Sequence, residues 1–239
     1  FYLKKIKVPA FARSVMPIFV IPIIGTFITA GAIVWGIGEP IGALTASLTD
    51  FLKGMQGSSI VVLATIMGMM IAFDMGGPVN KVAYAFVILC VGEGLYDVAG
   101  ISSVAVAVPS IGMGLATFIG KKLYDANEQE AGRASILMGT MGITEGAIPF
   151  AAADPLRVIP SIMIGTAAGA VTAAILGVKS YAAWGGLIVL PVVEGRFSFV
   201  IALAVGSIVT ALLVNFLKAR RSSKVDEKED DIDIDFEIN

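Results

Sequence analysis

The chain has 239 residues, 56% of them hydrophobic and 15% charged, and a mean hydropathy of +0.87. Soluble domains are nearer ~45–50% apolar and ~25% charged, so an ordinary soluble fold is excluded; long continuous apolar runs, rather than short alternating ones, exclude an outer-membrane barrel. The formal net charge of -2 conceals a net basic body followed by an acidic end, and its basic residues are not interleaved with aromatics as nucleic-acid binding requires.

The chain opens at Phe1 with the basic amphipathic stretch FYLKKIKVPAFARS and has neither an initiating Met nor a signal-peptide pattern. It reads as a fragment whose N-terminal part is missing. A first span is expected from about Ser14 to Ile37, with Lys4, Lys5, Lys7 and Arg13 placing its start in the cytoplasm. Residues 39–57 are mixed and amphipathic, suited to the outer interface. Ser58 to Phe73 is apolar but short and runs into FDMGGPVNK, where Gly76, Gly77 and Pro78 break any helix. The apolar run resumes from Val82 to Val91, contains the single cysteine, Cys90, as a small buried hydrophobe, and closes at EGLYD.

Ile101 to Ile119 is a further span, interrupted by Pro109. KKLYDANEQEAGR, residues 121–133, reads as a hydrophilic cytoplasmic loop. Ala134 to Phe150 is too short and glycine-rich for an ordinary span and reads as a re-entrant hairpin ending near the GITE turn. Leu156 to Val178 spans, Tyr181 to Val193 is a partial insertion, and Phe197 to Leu217 is the last span, anchored inside by Lys218, Arg220, Arg221 and Lys224. Four crossings before the 121–133 loop and two after it put both termini in the cytoplasm. The domain reading is a membrane body over 1–221 and an acidic, disordered cytoplasmic tail over 222–239. The fold class is all-α: a polytopic transmembrane helical protein with re-entrant hairpins and broken helices.

Two of these segments carry charge inside apolar surroundings: FDMGGPVNKVAY (73–84) and GITEGAIPFAAADPLRVIP (142–160). An ionisable group costs several kcal/mol in hydrocarbon and persists there when paired or facing a polar cavity. Broken backbone at membrane depth is tolerated only where protein or water surrounds it, and paired interrupted segments point to a transporter's binding site. Carboxylates and amides suit a polyhydroxylated solute, because they accept from, or both accept from and donate to, hydroxyls. Asp74, Asn80, Glu145 and Asp154 are therefore the candidate substrate-binding residues. Lys81 and Arg157 are charge partners, Lys81 for Asp74 or another buried acid. Asp154 and Arg157, three residues apart, fit an ion pair as well as they fit a ligand contact. Asn80 serves equally as a cap on broken backbone. Glu145 has no cation close to it in sequence and makes the strongest functional case. No metal or cofactor is called for, since histidine is absent and there is one cysteine.

GITEGAIPFAAADPLRVIPS together with FDMGGPVNKVAYAF resembles the fructose-type membrane subunit, enzyme IIC (EIIC), of the bacterial phosphoenolpyruvate-dependent sugar phosphotransferase system. The resemblance covers the chain to about Arg221 and implies a homodimeric permease of the bacterial inner membrane, with a scaffold part and a moving substrate part. It implies that a fructose-type sugar is bound outside, presented inside, and phosphorylated there by a phosphocysteine on a IIB domain supplied by IIA upstream. Related glucose- and lactose-type subunits carry a TE-containing hairpin whose glutamate contacts the hydroxyl to be phosphorylated. By that motif the role falls to Glu145, as orienting group and general base, with Thr144 beside it in the substrate-binding set. Those relatives also place a histidine near the sugar, which this chain lacks; Asp74 or Asn80 is the expected replacement. The alternative reading is an ion-coupled secondary transporter of a small polar solute, with Asp74 and Glu145 as proton or sodium sites.

Overall fold

The structure is a computed structural model that describes residues 21–37, isolated positions between 39 and 50, and 60–237, with only the backbone described beyond 220. The chain divides into two units, Phe1–Leu48 and Thr49–Asn239. In the first, α1 (Ile21–Ala32) continues into a π-helical turn over Ile33–Ile37. The expected first span is thus helical where it is described. The interfacial segment expected over 39–57 lies almost wholly outside the described residues.

The second unit is helical. α2 (Ile60–Phe73) and α3 (Pro78–Gly92) flank the break at 74–77. α4 (Tyr96–Ala105) and α5 (Val108–Ile119) form one bent rod, broken at 106–107. The bend lies just ahead of Pro109, which has no N–H to give to the turn before it. A 3-10 turn over Lys121–Leu123 leads into α6 (Ala126–Thr140). A second, over Thr144–Ala147, leads into α7 (Ile148–Ala153) and α8 (Pro155–Ile175). A two-residue antiparallel ribbon, β1 (Lys179–Ser180) with β2 (Val193–Glu194), brackets a 3-10 stretch over Leu187–Val192. α9 (Arg196–Glu237) completes the unit.

Among the described residues, three helical segments are long and apolar enough to cross a membrane: Tyr96–Ile119, Pro155–Ile175 and Arg196–Arg220. The expected spans at Ile101, Leu156 and Phe197 match these in place. One reading is corrected. The hydrophilic loop over 121–133 is half helix, because α6 starts at Ala126 behind a capping box. Asp125 Oδ1 accepts from the Glu128 N–H at 2.8 Å, and Glu128 Oε2 accepts from the Asp125 N–H at 3.1 Å. The segment Tyr181 to Val193 is a loop tied by the ribbon, with a 3-10 stretch over Leu187–Val192. The backbone of α9 is helical to Glu237.

α8 and α9 approach closely because small residues face each other. A Cβ added at Gly206 would lie 3.0 Å from the Cα of Gly169 and 2.9 Å from the carbonyl oxygen of Gly165. α2 crosses α8 in the same way, with Gly68 against the backbone of Ala167. Two apolar clusters result. One gathers Met113, Phe150, Ile162 and Val214; the other gathers Val104, Val108, Phe199 and Leu203. α5 contributes to both and is the central element of the unit.

A polar fastening closes the end of the first cluster. Tyr124 is buried, donates its hydroxyl to Asn215 Oδ1 at 2.8 Å and lies edge-on to Phe150. Lys218 Nζ sits 4.0 Å from the Tyr124 ring centroid and 2.9 Å from Glu128 Oε1. Asn215 Nδ2 also donates to the Ala116 carbonyl. Burial, with Glu128 and Asp154 nearby, pushes the Tyr124 phenol well above its usual range.

Candidate functional site

The site begins at the break between α2 and α3. Asp74 turns its carboxylate onto the first turn of α3, where Oδ2 accepts from the Val79 N–H at 2.7 Å and Oδ1 from the Asn80 N–H at 2.9 Å. A helix start leaves such donors without backbone partners, and a carboxylate there also meets the positive end of the helix dipole. Asn80 is buried and donates its side-chain amide to the Ile71 carbonyl at 2.7 Å, tying α3 back to α2. Between them Met75 and Gly76 have positive φ, 45° and 108°. The second value is one that an L side chain rarely adopts, and it leaves the Gly76 Cα bare toward its neighbour. That neighbour is Glu145: a Cβ at Gly76 would come 2.8 Å from the Glu145 Cδ. The two broken segments singled out in the sequence therefore meet at Gly76 and Glu145.

Glu145 sits in the 3-10 turn over Thr144–Ala147, which is held from beneath. Ser110 of α5 donates to the Ile143 carbonyl at 2.6 Å, and Ser135 of α6 donates to the Ser110 carbonyl at 2.8 Å. Gly146 leaves room for both hydroxyls, since a Cβ there would lie 2.8 Å from Ser110 Oγ. Thr144 is buried and its hydroxyl is 3.3 Å from Glu145 Oε2. The turn is rigid at its base while the carboxylate stays half-buried.

The third wall comes from far along the chain. Trp184 donates its ring N–H to the Met141 carbonyl at 2.9 Å, and its own carbonyl accepts from Ser103 at 2.7 Å. Gly142, at φ 77°, takes the backbone of Gly185 so closely that no Cβ would fit. Tyr84, one turn along α3 from Lys81, lies edge-on to Trp184 with ring centroids 6.0 Å apart.

These three segments enclose a cavity of about 270 Å³. Asn80, Lys81, Tyr84, Ser102, Thr144, Glu145 and Trp184 supply its side-chain chemistry, beside backbone at 142–143 and 185. Ligand sites generally run from ~300 Å³ upward, so this one suits a small polar solute. Glu145 and Lys81 are its two charged residues. Among the described residues neither belongs to a salt bridge. Lys81 is thus not the partner of Asp74 that the sequence suggested.

Of the sequence-stated candidates, Asn80, Lys81, Thr144 and Glu145 line the cavity, whereas Asp74, Asp154 and Arg157 do not. Arg157 Nη1 lies 2.9 Å from both Asp154 carboxylate oxygens, at the start of α8. The ion pair is the arrangement present. Sequence reasoning missed Ser102, Tyr84 and Trp184. Among the described residues no group of His, Cys, Asp and Glu is placed to hold a metal ion.

Comparison with known proteins places this geometry in context. The chain is 64% identical to the fructose-like permease IIC component 2 of Escherichia coli K12, over its whole length and 67% of that relative. It is 39% identical to the fructose-specific EIIC component of the phosphotransferase system of Haloferax volcanii, over 94% of the chain and 60% of the relative. It is 37% identical to the fructose-specific EIIB'BC component of Vibrio cholerae serotype O1, over 94% of the chain and 39% of that longer protein. No family model matches the chain, and no solved structure does.

Proposed function

The chain belongs to the fructose-type EIIC family of the bacterial phosphoenolpyruvate-dependent sugar phosphotransferase system, whose members are multi-pass membrane proteins, and from that membership we propose that it binds a fructose-type sugar and presents it for phosphorylation. The observation that carries this reading is the Glu145 carboxylate, held on a braced turn and lining a small cavity beside Asn80, Ser102 and Thr144. The relatives that join IIB to IIC in one chain support a IIB domain as the phosphoryl donor.

The chemistry follows from the residues. Glu145 accepts a hydrogen bond from one sugar hydroxyl, while the amide of Asn80 and the hydroxyls of Ser102 and Thr144 meet others. The ring faces of Tyr84 and Trp184 cover the sugar's C–H surface. A site built to pair hydroxyls rejects solutes lacking them, since its own polar groups would then stay unpaired. When the donor phosphocysteine of IIB docks, the hydroxyl oxygen attacks phosphorus, the P–S bond breaks, and the cysteine leaves as thiolate. The hydroxyl proton passes to Glu145 as general base, and the fixed turn keeps the acceptor in line. The charged product is released to the cytoplasm and cannot re-cross the bilayer. Alternating access between the two faces, assembly as a homodimer in the bacterial inner membrane, supply of phosphoryl groups by IIA, and a cytoplasmic C-terminal tail belong to the same reading.

The test is Glu145→Gln in vesicles with excess phosphorylated IIB partner. Sugar phosphorylation should fall by roughly 10²–10⁴-fold, the usual contribution of a positioned base. Wild-type phosphorylation by this variant would remove the base role, and unchanged sugar binding as well would make the residue structural. Accumulation of unmodified sugar that collapses with an ion gradient would instead support ion-coupled transport.

A further inference from the structure

We propose that Lys81 is the phosphoryl-binding residue of this site, holding the oxygens of the transferring group while Glu145 holds the sugar; the proposal rests on the sugar-phosphorylating reading above. Arg157 is closed onto Asp154 and Lys218 onto Glu128, each at 2.9 Å. Lys81, exposed at the cavity, belongs to no such pair among the described residues. It stands on the first turn of α3, its backbone N–H is satisfied by the Gly77 carbonyl at 3.0 Å, and its side chain lines the cavity. Among the described residues no carboxylate lies within salt-bridge distance of it, although Glu145 lines the same space.

Two opposite charges that line one small cavity without joining suit a ligand that answers both. A neutral sugar satisfies Glu145 through a hydroxyl but gives an ammonium only weak acceptors. A simple anion satisfies Lys81 but is repelled by Glu145. A molecule with a hydroxylated body and phosphoryl oxygens at one end satisfies both, because an ammonium has three donors and no acceptor capacity. The phosphoryl group in flight has the same oxygens, and a fixed cation beside it stabilises charge that is absent from the free sugar. Lys81 and Tyr84, at i and i+3, face the cavity together. The cation thus lies beside the aromatic wall. A single ammonium presents a point charge rather than a bidentate fork, which holds phosphate while allowing release.

The experiment compares wild type, Lys81→Gln and Lys81→Arg, purified in detergent, for binding of fructose, fructose 1-phosphate, fructose 6-phosphate and inorganic phosphate. Lys81→Gln is expected to weaken at least one fructose phosphate by about tenfold or more, as loss of a charge-assisted hydrogen bond would, and to change fructose affinity less than twofold. Lys81→Arg should recover most of the loss. In vesicles with phosphorylated IIB, Lys81→Gln should lower kcat at saturating fructose with little change in KM. Equal loss of fructose and both fructose phosphates would overturn the proposal and make Lys81 a sugar or structural ligand. Unchanged affinity for every phosphate would overturn it too, as would inorganic phosphate binding that is lost in Lys81→Gln while the fructose phosphates are unaffected. If wild type binds neither fructose nor its phosphates, the sugar reading itself fails first. Fructose affinity retained by Lys81→Gln also certifies that the variant is folded.

Discussion

Replacing Gly76 by alanine tests whether the two broken segments work as one unit. The added methyl would press on the Glu145 carboxyl group, 2.8 Å from its Cδ, in a backbone conformation with φ 108°. Two costs follow, and they are separable. Holding an L residue at positive φ costs on the order of 1–2 kcal/mol of stability. The second cost falls on binding. The carboxylate is the far end of a flexible side chain, so it swings aside rather than forcing the backbone apart. It thereby loses a hydrogen bond to the sugar of a kind worth roughly 1.5–3 kcal/mol when one partner is charged. At 1.4 kcal/mol per decade, fructose affinity should fall roughly ten- to hundredfold. Isothermal titration in detergent measures that affinity, and the thermal midpoint of each sample measures the first cost. The decisive comparison is Gly76→Ala placed on Glu145→Ala, where the methyl meets no carboxylate. The double variant should bind fructose as weakly as Glu145→Ala alone and no weaker, since both changes act through one group. Wild-type affinity in Gly76→Ala, or full additivity in the double variant, would refute the reasoning.

Other changes read separate parts of the site. Asp74→Ala removes the cap from α3 and should cost about 1–2 kcal/mol of stability, with fructose affinity of the folded protein nearly kept; a large selective loss of affinity would make Asp74 a sugar ligand after all. The chain has two tryptophans, so Trp35→Phe leaves Trp184 as sole reporter. Its emission should shift on adding fructose and saturate at the Kd from titration, and a flat response would remove Trp184 from the binding wall. The exposed Tyr181 phenol donates to Glu194 Oε2 at 2.9 Å, and this bond, with the carboxylate's charge, holds its pKa above the usual range. Its folded value is raised, so its stabilising contribution is present below the ordinary phenol value of ~10 and is lost as pH climbs through the raised one. Alkaline absorbance titration should show, beside the late-ionising Tyr124, a second late phenol that disappears in Tyr181→Phe and moves earlier in Glu194→Gln.

Much of this architecture is legible in the sequence because a bilayer allows few solutions. Long apolar runs became helices, and Gly76, Gly77 and Pro78 ended one where glycine and proline should. Glu145 stood out because no nearby cation could neutralise it. Asp74 was harder to read. As an acid in an apolar run it resembles a ligand, yet it lies just ahead of Pro78 and caps the helix that proline begins. Asp125 and Glu128 carried a capping signal too, three residues apart, but it sits among charged residues that also describe a solvated loop. Tyr84, Ser102 and Trp184 left no local trace. Aromatics at interfaces and hydroxyls in glycine-rich helices are ordinary, and their role exists only once the 184–185 loop lies on the 142–143 turn. The Ser103–Trp184 hydrogen bond spans 81 positions, and no pattern within a helix-length window encodes it.

The fastening around Tyr124 bears on how the protein is made. Its partners Asn215 and Lys218 lie 91 and 90 positions beyond Tyr124 and Glu128, respectively. At ~5–20 residues per second, a ribosome needs roughly 5–20 s to add that much chain. During that interval the connection ahead of α6 is already in place, while the groups that will secure it have not been synthesised. The connection ahead of α6 is therefore made well before it is locked, and the locking waits for α9. A nascent chain arrested before Asn215 should expose the 121–128 connection to proteolysis, whereas the finished protein should protect it.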